Sequence, residues 1–399
     1  MALSTALTAT FGGFLITLQF TSLAIAYWRM RRGVRRDETR ETSEFIALVR
    51  PLCGLNAFEE ETLRSSFHQD YPGYEIVFCV ASRFDPVIPL VEKLIAEYPH
   101  QRARLLTGDD KISANPKVNN LNKAWENTTA GIVAMADSNL LFPPDYLRSL
   151  VNTFDAKTGM VSSPATGICP ENIWGAVEAA MLNTHQARWQ YLSDFLGNGF
   201  AQGKTLCWRR EVLDNGGGMA ALGSEMAEDV ASTKLVRRAG LKVRLPAQPF
   251  AQPVGHRTLD AVWSRQLRWA RIRRAGFFWL FVPEIIMGFL PALAAVTWLT
   301  AAGDLPLFAP PALFVLWFSG EWALAKALGW PHQLRDILAM CLRDIMMPAL
   351  WLGCWAGRGF TWRGNPSGEK RLAGGTKLTG KIKLSGKKQP VPVSQSPGK

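Results

Sequence analysis

Residues 131–139, Gly-Ile-Val-Ala-Met-Ala-Asp-Ser-Asn, constrain the fold more than any other stretch of the chain. From Gly131 to Ala136 no position is polar. A run with no polar face reads as a strand buried on both sides, and such strands belong to α/β sheets with helices on each face. The run ends on Asp137 and Asn139, and the carboxyl end of a central strand is where open α/β sheets bind ligands. Two oxygen-bearing side chains at that point suit Mg2+ or Mn2+ held against a diphosphate. A strand followed by an Asx turn is the plainer reading of the same residues.

The neighbouring segments extend the α/β reading. Residues 44–52, 74–81 and 103–106 have the short apolar runs of strands, and Val87 to Tyr98 has the spacing of an amphipathic helix. Strand, helix, strand at this distance predicts a parallel, Rossmann-like sheet with right-handed crossovers. A loop is expected over 115–120, then a helix over 121–126 leading into the Asp137 strand. Pro143-Pro144 opens a helix over 145–154. Beyond Met160 the alternation is irregular, with helices expected over 172–192 and 225–238 and a strand over 204–209. The chain has no phosphate-binding P-loop and no dinucleotide fingerprint.

Three blocks are membrane-like: Phe14 to Trp28, Phe277 to Ala302 and Phe308 to Trp330. Each approaches the ~20 residues that a spanning helix requires. The first is followed by Arg29, Arg31, Arg32, Arg35 and Arg36; a signal peptide carries its positive charge before the apolar core, so this block reads as an uncleaved anchor with its basic flank in the cytosol. A fourth apolar region, Ile337 to Gly357, carries Arg343 and Asp344 at its middle. A crossing there would put the basic tail outside, so it is expected to be interfacial or re-entrant. Glu284 and Glu321 lie in apolar blocks, where a carboxylate needs a partner or a task; pairing with interfacial arginines is expected for Glu284. The organisation is then an anchor with its flank (1–36), a cytosolic domain (37–262), an interfacial helix (263–275), transmembrane and re-entrant helices (276–360) and a tail (361–399).

The formal charge of +12 is concentrated at the end of the chain, where residues 363–399 hold nine Lys or Arg against one Glu and no aromatic residue. A single-strand binder interleaves stacking aromatics, so nucleic acid is excluded as the partner and anionic lipid headgroups are expected instead. The Gly, Lys, Ser and Pro content of the tail is that of a disordered segment. Six cysteines, Cys53, Cys79, Cys169, Cys207, Cys341 and Cys354, form no C-x-x-C pair and indicate neither zinc nor a disulfide framework.

Asp85 in Phe84-Asp85-Pro86, the stretch Asn115-Pro116-Lys117-Val118-Asn119-Asn120, Asp137-Ser138-Asn139, Glu228-Asp229 and Arg265-x-x-Arg268-Trp269 together resemble, in order and spacing, the D, D, D, (Q/R)xxRW pattern of the ceramide glucosyltransferase family, glycosyltransferase family 21, in its bacterial form. The resemblance covers residues 49–275 and the membrane arrangement. It implies a GT-A fold and transfer of glucose from UDP-glucose to the primary hydroxyl of ceramide. Residue by residue, it implies that Asp85 faces the uridine and that Lys117 approaches the nucleotide or its phosphates. Asp137 and Asn139 hold Mg2+ or Mn2+, although Asn139 departs from a D-x-D. Asp229 is the catalytic base, and Arg265, Arg268 and Trp269 bind the diphosphate and shape the acceptor entrance. His185, in Thr184-His185-Gln186, is similar to a family histidine near the active site.

The chemistry agrees. A primary hydroxyl is a poor nucleophile at neutral pH and needs a carboxylate to accept its proton; Asp229 fits, with Glu228 as the fallback. One displacement with one base predicts inversion at the anomeric carbon. An acidic first helical turn is the plain alternative for Glu228-Asp229, and a helix lying in the headgroup layer is the plain alternative for the Trp- and Arg-rich segment 263–275. The rival functions are a hopanoid-associated enzyme using UDP-N-acetylglucosamine, a processive polysaccharide synthase, and a polybasic membrane scaffold. The expected location is a bacterial inner membrane with the catalytic domain on the cytosolic side.

Overall fold

The computed structural model describes residues 2–32, 44–225, 227–356, 360–362 and 365–367. Arg35, Arg36 and most of the 361–399 tail, with the lipid contacts expected of it, lie outside these residues.

An N-terminal helix α1 (Ala2–Arg32) precedes a domain whose first half alternates strand and helix: β1 (Ile46–Leu52), α2 (Glu59–Arg64), β2 (Tyr74–Val80), α3 (Ile88–Glu97), β3 (Ala103–Thr107), α4 (Pro116–Glu126) and β4 (Ile132–Ala136). These strands are parallel, as expected, in the order β3-β2-β1-β4. All five residues of β4 are buried. Ile132, Ala134 and Ala136 enter one core with Leu48, Phe78 and Tyr146; Val133 and Met135 enter the other with Val49, Leu121 and Trp208. One strand thus feeds two cores, at about 1.5–3 kcal/mol for each larger side chain removed from water.

The second half is less regular. It runs α5 (Tyr146–Val151), β5 (Thr158–Ser163), β6 (Ala165–Pro170), α6 (Ile173–Ala180), a π-helical segment (Met181–Ala187), α7 (Arg188–Phe195), β7 (Thr205–Arg209), α8 (Arg210–Asn215), α9 (Gly218–Leu222), α10 (Glu228–Arg238), β8 (Lys242–Arg244) and β9 (Phe250–Gly255). Here the sheet is mixed: β7 is antiparallel to both β4 and β5, and β8 pairs in parallel with β5, while β6 and β9 make a separate parallel pair. Because β7 runs against β4, its first residues lie at the carboxyl end of β4, and Lys204 O accepts from Asp137 N at 3.0 Å.

Beyond the domain come α11 (Leu259–Gly276), α12 (Phe278–Phe281), α13 (Phe289–Ala301), α14 (Ala309–Ala327) and α15 (Leu334–Gly353). Among the described residues, one helix is long and apolar enough to cross a membrane, Leu3–Arg31 within α1, or two if a bent pair counts as one span. The block expected over 277–302 is not one straight helix. Phe278–Ile286 and Phe289–Ala301 are separate pieces at 45°, broken where Pro283 opens a short 3-10 turn and Gly288 is fully extended. The helix that restarts there has its first amide tied down, with Phe289 N donating to Asp344 Oδ2 at 3.0 Å. Of the region 337–357, expected to be interfacial or re-entrant, residues 337–353 lie within the continuous helix α15.

Charges buried among these helices are paired. Glu321 of α14 is wholly buried and meets Arg343 at 2.9 Å and Arg188 at 3.5 Å; Arg188 also donates to Gln19 of α1 at 2.7 Å. Arg343 in turn meets Asp344 at 2.8 Å. Glu284 pairs with Arg273 at 2.8 Å, as expected of it. The end of α1 is fixed to the domain by Arg29, whose guanidinium donates to Asp194 at 3.0 Å and to the Leu245 carbonyl at 2.8 Å.

Candidate active site

The candidate site lies at the carboxyl end of β4, and α4 contributes to it from its first turn. Asn115 and Pro116 begin that helix, so the segment expected as a loop over 115–120 is instead its first turn. Asn115 has extended backbone, and its side chain accepts from Lys117 N and Val118 N; Pro116 follows at the first helical position, where a missing N–H costs nothing. Asn120 is buried and donates to the carbonyls of Leu52 and Cys79 at 3.3 and 2.8 Å, tying α4 to the ends of β1 and β2. Asn119 is tied back to Ser113 in the preceding loop. With the helix so held, Lys117 projects from its first turn toward Asp137 and Glu228.

The Lys117 ammonium is surrounded by oxygen. It lies 2.7 Å from Asp137 Oδ1, 2.7 Å from Glu228 Oε1 and 2.6 Å from the Gly203 carbonyl. Lys204, at the start of β7, approaches the other Asp137 oxygen at 3.3 Å and Asn139 Oδ1 at 3.3 Å. Burial raises the Asp137 pKa, but the two ammoniums outweigh it and hold the carboxyl down at about 2. For Lys117 the two carboxylates outweigh burial in the other direction, so it stays charged. Burial pushes Lys204 down, with Arg265 adding to the effect and Asp137 opposing it.

Asp229 follows Glu228 in the first turn of α10. Its carboxylate accepts from Gly203 N at 3.0 Å and Val230 N at 2.8 Å. Burial first and the negative charge of Glu228 second push it up to about 7, with Lys117 and the two amides opposing. Gly203 leaves room for these groups: a Cβ there would lie 2.8 Å from Glu228 Oε1 and 3.4 Å from Lys117 Nζ, so the Glu228 carboxylate would have to move. Asn115 completes the ring by donating to Glu228 Oε2 at 3.1 Å. Asp137, Lys117, Glu228 and Asp229 therefore converge.

The loop after Asp137 is held by Arg50, a wholly buried residue of β1. Its guanidinium donates to the carbonyls of Ser138 and Leu140 at 2.7 and 3.1 Å and stacks 4.1 Å over the Phe142 ring. Burial brings its pKa down to about 10. Arg50, Gly203 and Lys204 were not singled out by sequence reasoning, because their partners are far along the chain; the only sequence signal for Arg50 is a charge inside an apolar strand.

The remaining expected residues are distributed around this centre. Asp85 sits at the rim, where its carboxylate accepts from Gly54 N and Val87 N at 3.0 Å and so joins the loops after β1 and β2. Arg265 pairs at 2.7 Å with Glu178, which is wholly buried on α6, and its charge reaches Lys204. Trp269 packs against Ala179, Leu182 and Val254, and Arg268 is half-buried on the same helix. His185 lines a cavity of about 10 Å³ with Gln186, Gln266, Arg273, Glu284 and Trp351, against the helix that carries Arg265, Arg268 and Trp269. Among the described residues it makes no hydrogen bond or ion pair with the Lys117 cluster. Burial and the charges of Arg343, Arg188 and Arg273 keep it neutral, well below the usual histidine range.

The donor set fits a small hard cation. The Asp137 and Asn139 oxygens share one ammonium partner, so they face the same space, and oxygen donors are what Mg2+ and Mn2+ prefer. Among the described residues no three His, Cys, Asp or Glu side chains form a closed cage. A single carboxylate with substrate phosphates and water is the usual arrangement for such ions.

Similar proteins share the fold and the family. A mannosyltransferase from Pyrobaculum calidifontis, solved in complex with GDP-Man and Mn2+, superposes with a TM-score of 0.52 at 19% identity over 85% of this chain and 99% of its own. That likeness shows the shared GT-A fold, a mixed α/β sheet. Ceramide glucosyltransferase 1 of Caenorhabditis elegans is 26% identical over 273 residues, 68% of this chain and 59% of its own length. The ceramide glucosyltransferase of Komagataella phaffii is 30% identical over 275 residues, 60% of this chain and 54% of its own length. The chain thus spans a little over half of each of these relatives. The family model of glycosyl transferase family 21 matches residues 14–369, a range that takes in β1 to β9, the whole Lys117 cluster and the helices that follow, and to that family this chain belongs.

Proposed function

We propose that the protein transfers glucose from UDP-glucose to the primary hydroxyl of ceramide, with inversion at the anomeric carbon. The observation that carries this is the meeting, at the Gly203-Lys204 turn, of a strongly acidic carboxylate, two ammoniums and one carboxylate pushed up to about 7. The first group suits a cation, the second a diphosphate and the third a proton acceptor at neutral pH. The relatives described above carry the name ceramide glucosyltransferase, which favours this reading over the hopanoid and polysaccharide ones.

In this reading Asp85 meets the nucleoside at the rim, and Lys117, Lys204 and the arginines of α11 face the diphosphate. Asp137 and Asn139 hold Mg2+ or Mn2+, which, when bound, offsets charge on the departing phosphate. Asp229 takes the proton of the acceptor hydroxyl as that oxygen bonds to the anomeric carbon, and the electrons of the broken carbon–oxygen bond leave with UDP. The Gly203 and Val230 amides fix the Asp229 carboxylate for that task. Trp269 and the end of α11 shape the acceptor entrance, and α1 keeps the cleft beside the lipid.

The test is product identity. Purified protein incubated with labelled UDP-glucose, UDP-galactose or UDP-N-acetylglucosamine and with ceramide, diacylglycerol or a hopanoid is expected to give β-glucosylceramide. A labelled polymer, or transfer of N-acetylglucosamine to a hopanoid, overturns the reading.

A further inference from the structure

An ammonium has three N–H bonds, and in Lys117 each has an acceptor: Asp137, Glu228 and the Gly203 carbonyl. These are the oxygens a dication would seek. The second Asp137 oxygen and the Asn139 amide oxygen are faced by Lys204, and further charged neighbours are Asp229, whose carboxylate rests on the Gly203 amide, Arg265, whose charge reaches Lys204, and Arg50, whose charge reaches Asp137. A divalent ion arriving alone must therefore displace a fully bonded ammonium or settle beside two positive charges. A diphosphate changes both conditions, because its oxygens accept the hydrogens of Lys117 and supply ligands and negative charge for the ion.

We propose that Lys117 is the positioning residue that couples the ion to the nucleotide: its ammonium holds the cation position against Asp137 until a nucleoside diphosphate draws it away. This rests on the sugar-transfer reading above and goes further, since it makes the ion's affinity conditional on the nucleotide. Glu228 then has a task distinct from that of Asp229, which is to keep the ammonium in place when no nucleotide is bound.

The test uses the full chain in detergent, MnCl2 and UDP, with the free Mn2+ signal followed by electron paramagnetic resonance. The wild-type protein is expected to bind Mn2+ at least tenfold more tightly with UDP than without. Lys117→Met, unbranched, one atom shorter and uncharged, is expected to bind Mn2+ without UDP at least tenfold more tightly than wild type, and adding Asp137→Asn to it is expected to abolish that gain. Should Lys117→Met melt out, the charge-balanced pair Lys117→Met with Glu228→Gln is expected to show the same gain. Equal wild-type affinity with and without UDP, or a nucleotide-free affinity unmoved by removing the ammonium, overturns the proposal. Glucosylceramide formation by the same wild-type preparation separates the two levels. Product with an unmoved Mn2+ affinity refutes the coupling alone, whereas absence of product from every donor and acceptor refutes the underlying reading and the coupling with it.

Discussion

Replacing Glu228 by Gln isolates the cause of the unusual basicity of Asp229. The two carboxylates are adjacent on α10 and close around the Gly203 turn, where a Cβ would be 2.8 Å from Glu228 and 3.7 Å from Asp229. Like charges about 6 Å apart at an effective dielectric near 20 repel by about 3 kcal/mol. That corresponds to about two pK units, but the Lys117 ammonium, 2.7 Å from Glu228, cancels part of the field, which leaves about one unit. Burial remains in the variant, so the Asp229 pKa stays above an ordinary aspartate. The acid limb of kcat/KM, centred near pH 7 in the wild type, is therefore expected to move down by about one unit in Glu228→Gln. The assay is initial-rate glucosyl transfer to a short-chain ceramide between pH 5 and 9, at fixed metal and ionic strength. An acid limb that stays in place or moves up refutes the electrostatic account, and a wild-type limb far from 7 refutes Asp229 as the base.

Further variants probe the same architecture. Asp229→Asn is expected to lower turnover by about 10²–10⁴-fold; because folding raises the Asp229 pKa, its ionisation withdraws stability as pH climbs from the ordinary carboxylate range through about 7, so the Tm of Asp229→Asn relative to wild type should rise between pH 5 and 8, and a gap independent of pH counts against this. Arg50→Met leaves the Ser138 and Leu140 carbonyls without their donor and is expected to cost about 3 kcal/mol in denaturant unfolding, with loss of transfer; an active, unperturbed variant contradicts the loop-holding role. Asn115→Ala removes a helix cap worth about 1 kcal/mol and also the bond to Glu228, so turnover should fall by more than the small drop in Tm implies. Glu321→Ala leaves Arg188 without its carboxylate and Arg343 with Asp344 as its remaining one, and is expected to cost about 3–5 kcal/mol, read as loss of folded protein on detergent extraction.

The part of this molecule legible in the sequence is the part whose pattern is local. A run without polar positions can only be a covered strand, so β4 and the placement of Asp137 at its end follow from nine consecutive letters. The start of α4 was also locally encoded, in Asn115 followed by Pro116, but the polar residues after them have a loop-like composition; three of them proved to be working positions of the helix. What could not be read is whatever depends on pairing between distant segments. Thr205–Arg209 is recognisable as a strand, yet nothing in it says that it runs antiparallel to β4, and that direction alone carries Gly203 and Lys204 to Asp137. Arg50 reaches a loop 88 residues away. His185 was named through a motif resemblance, and its surroundings come from distant segments: it lines a small cavity with Gln266 and Arg273 of α11, which no local pattern announces.

Arg29 gives the catalytic domain a fixed mount. Since its bonds to Asp194 and the Leu245 carbonyl stop α1 from swivelling, the helix is a rigid stem rather than a tether. Each residue inserted into such a stem lifts the domain by about 1.5 Å and rotates it by about 100°. On the proposed placement of α1 across a bilayer, thickness becomes a control variable: a thicker hydrocarbon layer is expected to draw the reaction centre toward the headgroups and a thinner one to raise it clear of them, so turnover should be tuned by acyl-chain length even when the acceptor itself is unchanged.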